Sequence, residues 1–305
     1  MKRRDFIKRS GSGAFLLSSG IFPFTAAIDD PNLVKLTILH TNDVHSRIDP
    51  FPMDGGRNEG KGGASKRATL IKKLRTENDN ILLLDCGDIF QGTPYFNFFG
   101  GELEMKLMTE MGYDAGTIGN HDFDAGIDGL DKQLKHANFP LLVANYDLSN
   151  TVLNGKVEPY KIFNKAGLKI GVFGIGIELN SLVPKKLYKE TVYLDPIENA
   201  QRTATHLKNE MDCDYVICLS HLGYSYDEAK VCDVVLAHMT KDIDLILGGH
   251  THTFMRKPDI RRNIVGKEVV INQVGWAGLM LGKIDIVFEK GTSKKCHTCK
   301  NTFIS

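Results

Sequence analysis

Five short apolar runs, each followed at once by residues of metal-binding type, constrain this chain more than any other feature. The runs cover 34–40, 81–84, 115–118, 215–219 and 243–247. Apart from Lys35 and Thr37 in the first, Thr117 in the third and Asp244 in the fifth, polar residues do not interrupt them before their last position. They therefore read as strands buried on both sides. Similar runs lie at 139–145, 169–177, 269–274 and 283–288, the last expected strand. Between them fall stretches of helical spacing at 64–78, 102–111, 127–137 and 197–211; in the first, Ala68, Ile71 and Leu74 share a face. Strands alternating with helices give an α/β class, with mixed or mostly parallel sheets flanked by helices. Ligands in such sheets bind beyond the carboxyl ends of the strands.

That is where the chemistry-bearing residues fall. Asp43 and His45 follow the first run. In extended chain, side chains two apart point the same way, so both are expected to face one ion. Gly87 and Asp88 follow the second run, with Gln91 and Gly92 next. Gly119, Asn120, His121, Asp122 and Asp124 follow the third, and His221 follows the fourth. Gly249, His250 and His252 follow the fifth and repeat the same-side spacing. A lone histidine at a strand end is an ordinary loop residue, and a lone aspartate there is an ordinary turn former. Five of the ten histidines gather at these ends, so that explanation fails for the group.

Imidazole, carboxylate and one amide, without thiolate, suit Zn, Mn, Fe, Ni or Co better than Mg or Ca. The set is too large for one ion. Two divalent ions sharing a carboxylate fit it, and Asp43, Asp88 and a bridging hydroxide leave a residual charge of about +1 that attracts an anion. Two ions ~3.5–4 Å apart stabilise both the attacking and the leaving oxygen in phosphoryl transfer.

The ordered series Asp43-x-His45, Gly87-Asp88, Gly119-Asn120-His121-Asp122, His221 and Gly249-His250-x-His252 resembles the calcineurin-like metallophosphoesterase pattern. Residues 38–45, Gly87-Asp88-x-x-Gln91-Gly92-Thr93 and 119–124 resemble more closely its 5′-nucleotidase / UDP-sugar hydrolase / 2′,3′-cyclic phosphodiesterase branch. The resemblance runs from about Leu36 to Phe288 and implies a layered metallophosphoesterase sandwich. It implies that Asp43, His45 and His252 hold one ion, that Asn120, His221 and His250 hold the other, and that Asp88 bridges them. His121 is implied as a catalytic group rather than a ligand, oriented by Asp124. The implied activity is hydrolysis of phosphate esters, above all nucleotides, by in-line attack of a metal-activated hydroxide. The alternatives are a cyclic-nucleotide or UDP-sugar phosphodiesterase, or a metal-binding catalytic subunit that needs a separate substrate-binding partner. Members of this branch normally carry a second, C-terminal domain that clamps the base. That domain is not expected within these 305 residues, which leaves the substrate open.

Three segments are expected: a signal peptide at 1–27, the metallophosphoesterase domain at 28–290, and a C-terminal tail at 291–305. The first has a basic head (Lys2, Arg3, Arg4), an apolar body at 14–24 too short to span a bilayer, and a small-residue exit, Thr25-Ala26-Ala27. Its Arg3-Arg4-Asp5-Phe6-Ile7-Lys8 resembles a twin-arginine signal, so export, to a periplasm, is expected. Residues 1–27 hold five of the 38 Lys and Arg and one of the 37 Asp and Glu. The remainder carries 33 basic and 36 acidic residues, a net of −3, and no nucleic-acid surface is expected.

Cys86, Cys213 and Cys218 read as core residues and Cys232 as helical, while Cys296 and Cys299 suggest a local disulfide or a free tail. Phe90, Tyr95, Phe96, Phe98 and Phe99 read as packing over the next helix, or as a stacking or docking surface. Trp276 reads as a pocket wall or an edge aromatic. His40 is expected to be structural, and His136, His206 and His238 to be solvated on helices.

Overall fold

A computed structural model describes residues 30–292 and 295–305. The segment expected as a signal peptide lies outside the described residues. The apolar runs form two facing sheets. In the first, β1 (Leu33–Thr41), β2 (Ile81–Asp85), β3 (Ala115–Thr117) and β4 (Leu141–Leu142) run parallel in that order. In the second, β7 (Leu168–Ile175), β9 (Tyr215–Ser220), β10 (Leu245–Leu247) and β12 (Glu268–Asn272) are parallel, edged by antiparallel β6 (Tyr160–Lys165) and β11 (Asp259–Arg262). A small pair, β5 (Tyr146–Asp147) with β8 (Val192–Tyr193), stands apart.

Strand alternation sorts the side chains into layers. Ile38, Leu84, Val172, Ile217, Leu247 and Ile286 fill the space between the sheets. Leu39 and Leu83 face outward onto Ile71 of α1 (Ala64–Glu77), Met105 and Met108 of α3 (Glu102–Met111), and Leu130 of α4 (Ile127–Leu134). α2 (Pro94–Phe99) leads into α3. On the other outer face, Phe173 and Val216 pack on Ala200, Ala204 and Leu207 of α6 (Pro196–Asn209) and on Leu236 of α7 (Asp233–Met239). α5 (Lys185–Tyr188) is a single turn. Each fully buried large apolar side chain contributes about 1.5–3 kcal/mol, and the helix–sheet–sheet–helix stack buries them on both faces of both sheets. α6 starts where the Asp195 carboxylate accepts the Glu198 N–H at 2.8 Å and Pro196 opens the first turn.

Several boundaries differ from the sequence expectation. The run at 139–145 is a strand only at Leu141–Leu142; beyond it the Val143 and Ala144 N–H groups bond to the Glu158 and Gly174 carbonyls, and the Asn145 side chain accepts the Gly176 N–H and donates to the Gly176 carbonyl. The segment expected as a tail belongs to the first sheet. β13 (Met280–Glu289) pairs antiparallel with β1, and β14 (Lys295–Cys299) and β15 (Thr302–Phe303) both pair with β13. Cys296 and Cys299 sit three apart on β14, an odd spacing that aims them to opposite faces, and both are free thiols. Cys232 precedes α7 rather than lying in it. Among the described residues, no helix is long and apolar enough to cross a membrane.

Candidate metal centre

The loops that leave β1, β2, β3, β9 and β10 meet at the carboxyl ends of the two sheets. Their backbones do not continue as extended chain. Asp43 (φ 49°), His45 (49°), Asp88 (55°), His250 (69°) and His252 (53°) are all left-handed. Non-glycine residues rarely take that conformation, and each costs on the order of 1 kcal/mol or more. Strain at five expected ligands is the local signature of a site held in shape by its surroundings.

Two groups of ligand atoms converge. In one, Asp43, His45 and His252 offer atoms that all lie within 4.8 Å of one another; in the other, Asp88, His221 and His250 do the same. His45 Nε2 and His252 Nε2 are 3.1 Å apart, and His252 Nε2 lies 3.3 Å from Asp43 Oδ1. Asp88 Oδ2 lies 3.1 Å from His221 Nε2 and 3.9 Å from His45 Nε2, which puts this carboxylate between the groups. Asn120 Oδ1 is 2.9 Å from His250 Nδ1 and so joins the second group. Asp43 and His45 therefore do face one point, but through left-handed turns rather than strand alternation. The same correction separates His250 from His252: two residues apart, they enter different groups.

The imidazoles are oriented for ligation. His221 Nδ1 donates to the Cys86 carbonyl at 2.6 Å, which leaves Nε2 facing inward toward Asp88. That Nε2 is fully buried and makes no aligned hydrogen bond. His45 Nδ1 is 3.3 Å from the Phe90 carbonyl. Burial works against charge on His221, yet Asp88 and Asp43 push its pKa up to about 10. Burial also opposes charge on Asp88, yet His221 and His45 hold its carboxyl below the usual carboxylate range. Burial lowers His250 to about 4 and also lowers His45, so both are neutral donors at pH 7. Nitrogen and oxygen donors that converge without thiolate, one of them a buried nitrogen with no hydrogen-bond partner, fit a pair of divalent ions.

Other residues hold these loops. The Asn42 side chain donates to the Gly275 carbonyl at 2.6 Å and accepts the Val274 N–H. Asp122 accepts four backbone N–H groups, from Asp88, Ile89, Phe90 and Gly119, at 2.8–3.2 Å. It ties the Asp88 loop to the Asn120 loop, and the His121 N–H adds a bond to Asp88 Oδ1 at 2.8 Å. Burial and the Asp88 charge push the Asp122 carboxyl up to about 7, against the pull of the Gly119 and Phe90 N–H groups. Asp122 stands inside the sequence motif, but nothing in the pattern shows where its oxygens point.

His121 enters neither group. Its Nδ1 bonds Asp124 Oδ2 at 2.8 Å, and its ring meets the His45 ring edge-on at 5.3 Å between centroids. The bond to Asp124 raises the His121 pKa above its ordinary value, against its partial burial.

The remaining expectations divide. His40 is wholly buried between the sheets, with Nε2 2.7 Å from Asn272 Nδ2. His206 is half-buried and bonded to Tyr160 and Glu210, whereas His238 is exposed. Phe90 and Phe96 are buried and stacked at 5.6 Å, while Phe98 is 82% exposed, so the aromatic segment is half core and half surface. Trp276 lies flat against His252, 5.7 Å between centroids at 9°.

A family profile described as calcineurin-like phosphoesterase matches residues 36–254. A snake venom 5′-nucleotidase of Gloydius brevicauda is 35% identical, over 92% of this chain and 50% of its own length. The trifunctional nucleotide phosphoesterase protein YfkN of Bacillus subtilis is 33% identical over 85% of this chain and 18% of its own. Among solved structures, a 5′-nucleotidase precursor from Thermus thermophilus superposes with a TM-score of 0.80 at 29% identity, covering 88% of this chain and 54% of that one. The chain spans about half the length of the curated 5′-nucleotidases it matches. Fold, ligand geometry and profile agree: the chain belongs to the calcineurin-like phosphoesterase family.

Proposed function

We infer that this chain is a two-metal hydrolase of phosphate esters, acting on nucleotides in the manner of a 5′-nucleotidase. The observation that carries the reading is the pair of ligand groups with Asp88 between them and the His121–Asp124 pair beside them. Asp43, His45 and His252 would hold one divalent ion; Asn120, His221 and His250 would hold the other; Asp88 would be shared. Ions in these places supply Lewis-acid activation of water and neutralise charge on the phosphoryl group. The chain's own residues do the rest. Asp124 fixes the Nδ1–H tautomer of His121, so Nε2 is free to hold a proton for the leaving oxygen. The Asp122 cradle keeps the Asp88 and Asn120 loops at a fixed separation.

The nucleotide preference is supported by the relatives, which are named as 5′-nucleotidases and a nucleotide phosphoesterase. Cyclic-nucleotide and UDP-sugar diesters remain the alternatives within this chemistry. The basic, then apolar, then small-residue order of residues 1–27 supports export, by a twin-arginine signal.

The test uses the isolated chain supplied with Mn or Zn and follows three hydrolyses: phosphate release from AMP, ring opening of a cyclic nucleotide to its monophosphate, and cleavage of a UDP-sugar to UMP and a sugar phosphate. His121→Ala should lower kcat by about 10²–10⁴-fold at unchanged metal content. Loss of metal in that variant would refute its assignment as a group that is not a ligand. Absence of turnover with both ions bound would refute a stand-alone enzyme.

A further inference from the structure

Metal-ligating imidazoles are normally held by a hydrogen bond at the nitrogen that faces away from the ion. His221 and His45 follow that rule through the carbonyls of Cys86 and Phe90. His252 does not. Among the described residues its Nδ1 has no protein hydrogen-bond partner, and its side chain is 39% exposed, the most open of the three imidazoles that face Asp43. Its backbone is left-handed, a conformation that persists only where neighbouring groups hold it. What holds the ring is the indole of Trp276, stacked at 5.7 Å and 9°.

The indole is itself fixed. Phe51 meets it edge-on at 5.9 Å, and the Arg47 guanidinium covers Phe51 at 4.3 Å from the ring centre. The loop that carries Trp276 is bonded on both sides to the ligand loop of β1. Ala277 N–H donates to the Asp43 carbonyl at 2.7 Å, and the Gly275 carbonyl accepts from Asn42. A plate held at both edges leaves the imidazole one tilt, the one that aims Nε2 at Asp43 and His45.

We propose that Trp276 is a positioning residue that replaces the missing hydrogen bond of His252 by stacking, and so sets the affinity of the half-site formed with Asp43 and His45. This rests on the two-metal reading above and deepens it. Loss of an outer support of a ligating histidine weakens metal binding by about 10–100-fold. Trp276 is also the single tryptophan of the sequence, so the protein's tryptophan fluorescence comes from beside this half-site.

The experiment uses the full chain stripped of metal and titrated with Mn²⁺, followed by tryptophan emission, calorimetry and bound-metal analysis. In the wild type, emission changes as one of two ions binds. In Trp276→Ala one ion binds about 10–100-fold more weakly and the other as in the wild type, and Trp276→Phe recovers most of that loss. Wild-type affinity for both ions in Trp276→Ala overturns the proposal, as does equal weakening of both or emission that ignores bound Mn²⁺. The emission test needs no variant and stands if Trp276→Ala fails to fold. A wild-type chain that binds no Mn²⁺ refutes the two-metal reading itself, an outcome distinct from all of these.

Discussion

Replacing Asp122 by Asn changes one oxygen to an NH₂ group and should cost more than its size suggests. In the native chain Oδ1 accepts the N–H groups of Ile89 and Phe90, and Oδ2 accepts those of Asp88 and Gly119. An amide can serve only one of these pairs. Whichever way it turns, two buried N–H groups lose their acceptor and face a donor. Each unsatisfied buried group costs about 1–3 kcal/mol, so the variant should lose roughly 2–6 kcal/mol. That is a large part of the ~5–15 kcal/mol that holds a typical domain together. Asp122→Ala leaves all four without acceptors and should not accumulate as folded protein. Urea unfolding of the metal-free Asn variant, read as a shift in midpoint at constant slope, measures the loss. A change below about 1 kcal/mol would show that the four N–H groups find other acceptors, and the cradle argument would fail.

Three further outcomes are expected. Gly119→Ala places a Cβ against the Asp88 carboxylate and amide; it should destabilise by about 1–3 kcal/mol and weaken metal uptake, whereas unchanged metal content would show that the loop relaxes freely. Burial raises the Asp85 carboxyl to about 7, against its bonds from Thr41 and Gly87. The folded state therefore holds this proton more tightly than the unfolded state, and stability falls as pH rises from about 4 to 7, by roughly 4 kcal/mol at most. Asp85→Asn should flatten that part of the stability–pH curve, and equal slopes in the two proteins would remove Asp85 as the cause. Stripping metal with a chelator should lower Tm, and added Mn or Zn should restore it, by about 2.7 kcal/mol for each ion at a concentration 100 times its Kd; a Tm indifferent to both treatments would contradict a two-ion site.

Layering and site location were legible in the sequence because both are short-range consequences of pattern. Runs such as Leu82–Leu84 are apolar on every position, and only a strand covered on both faces accommodates them. Ligand-type residues after such runs must reach the carboxyl ends of the strands. The edge elements were less legible. β14 and β15 are short and polar, with Lys295, His297 and Thr298 in a run of five, and only pairing with β13 makes them strands. Periodicity has nothing to detect there.

What the sequence by itself determined was the class of fold, the end of the sheet that carries chemistry, and the kind of donor atoms gathered there. Tertiary structure alone decided how those atoms are shared. His250 and His252 look equivalent in sequence, yet left-handed turns send one to Asp88 and the other to Asp43. Asp122 and Trp276 act through groups 32–34 and 24 positions away, respectively. Contacts of that kind are set by which strands lie side by side, β2 beside β3 and β10 beside β12, and spacing along the chain carries no record of that order.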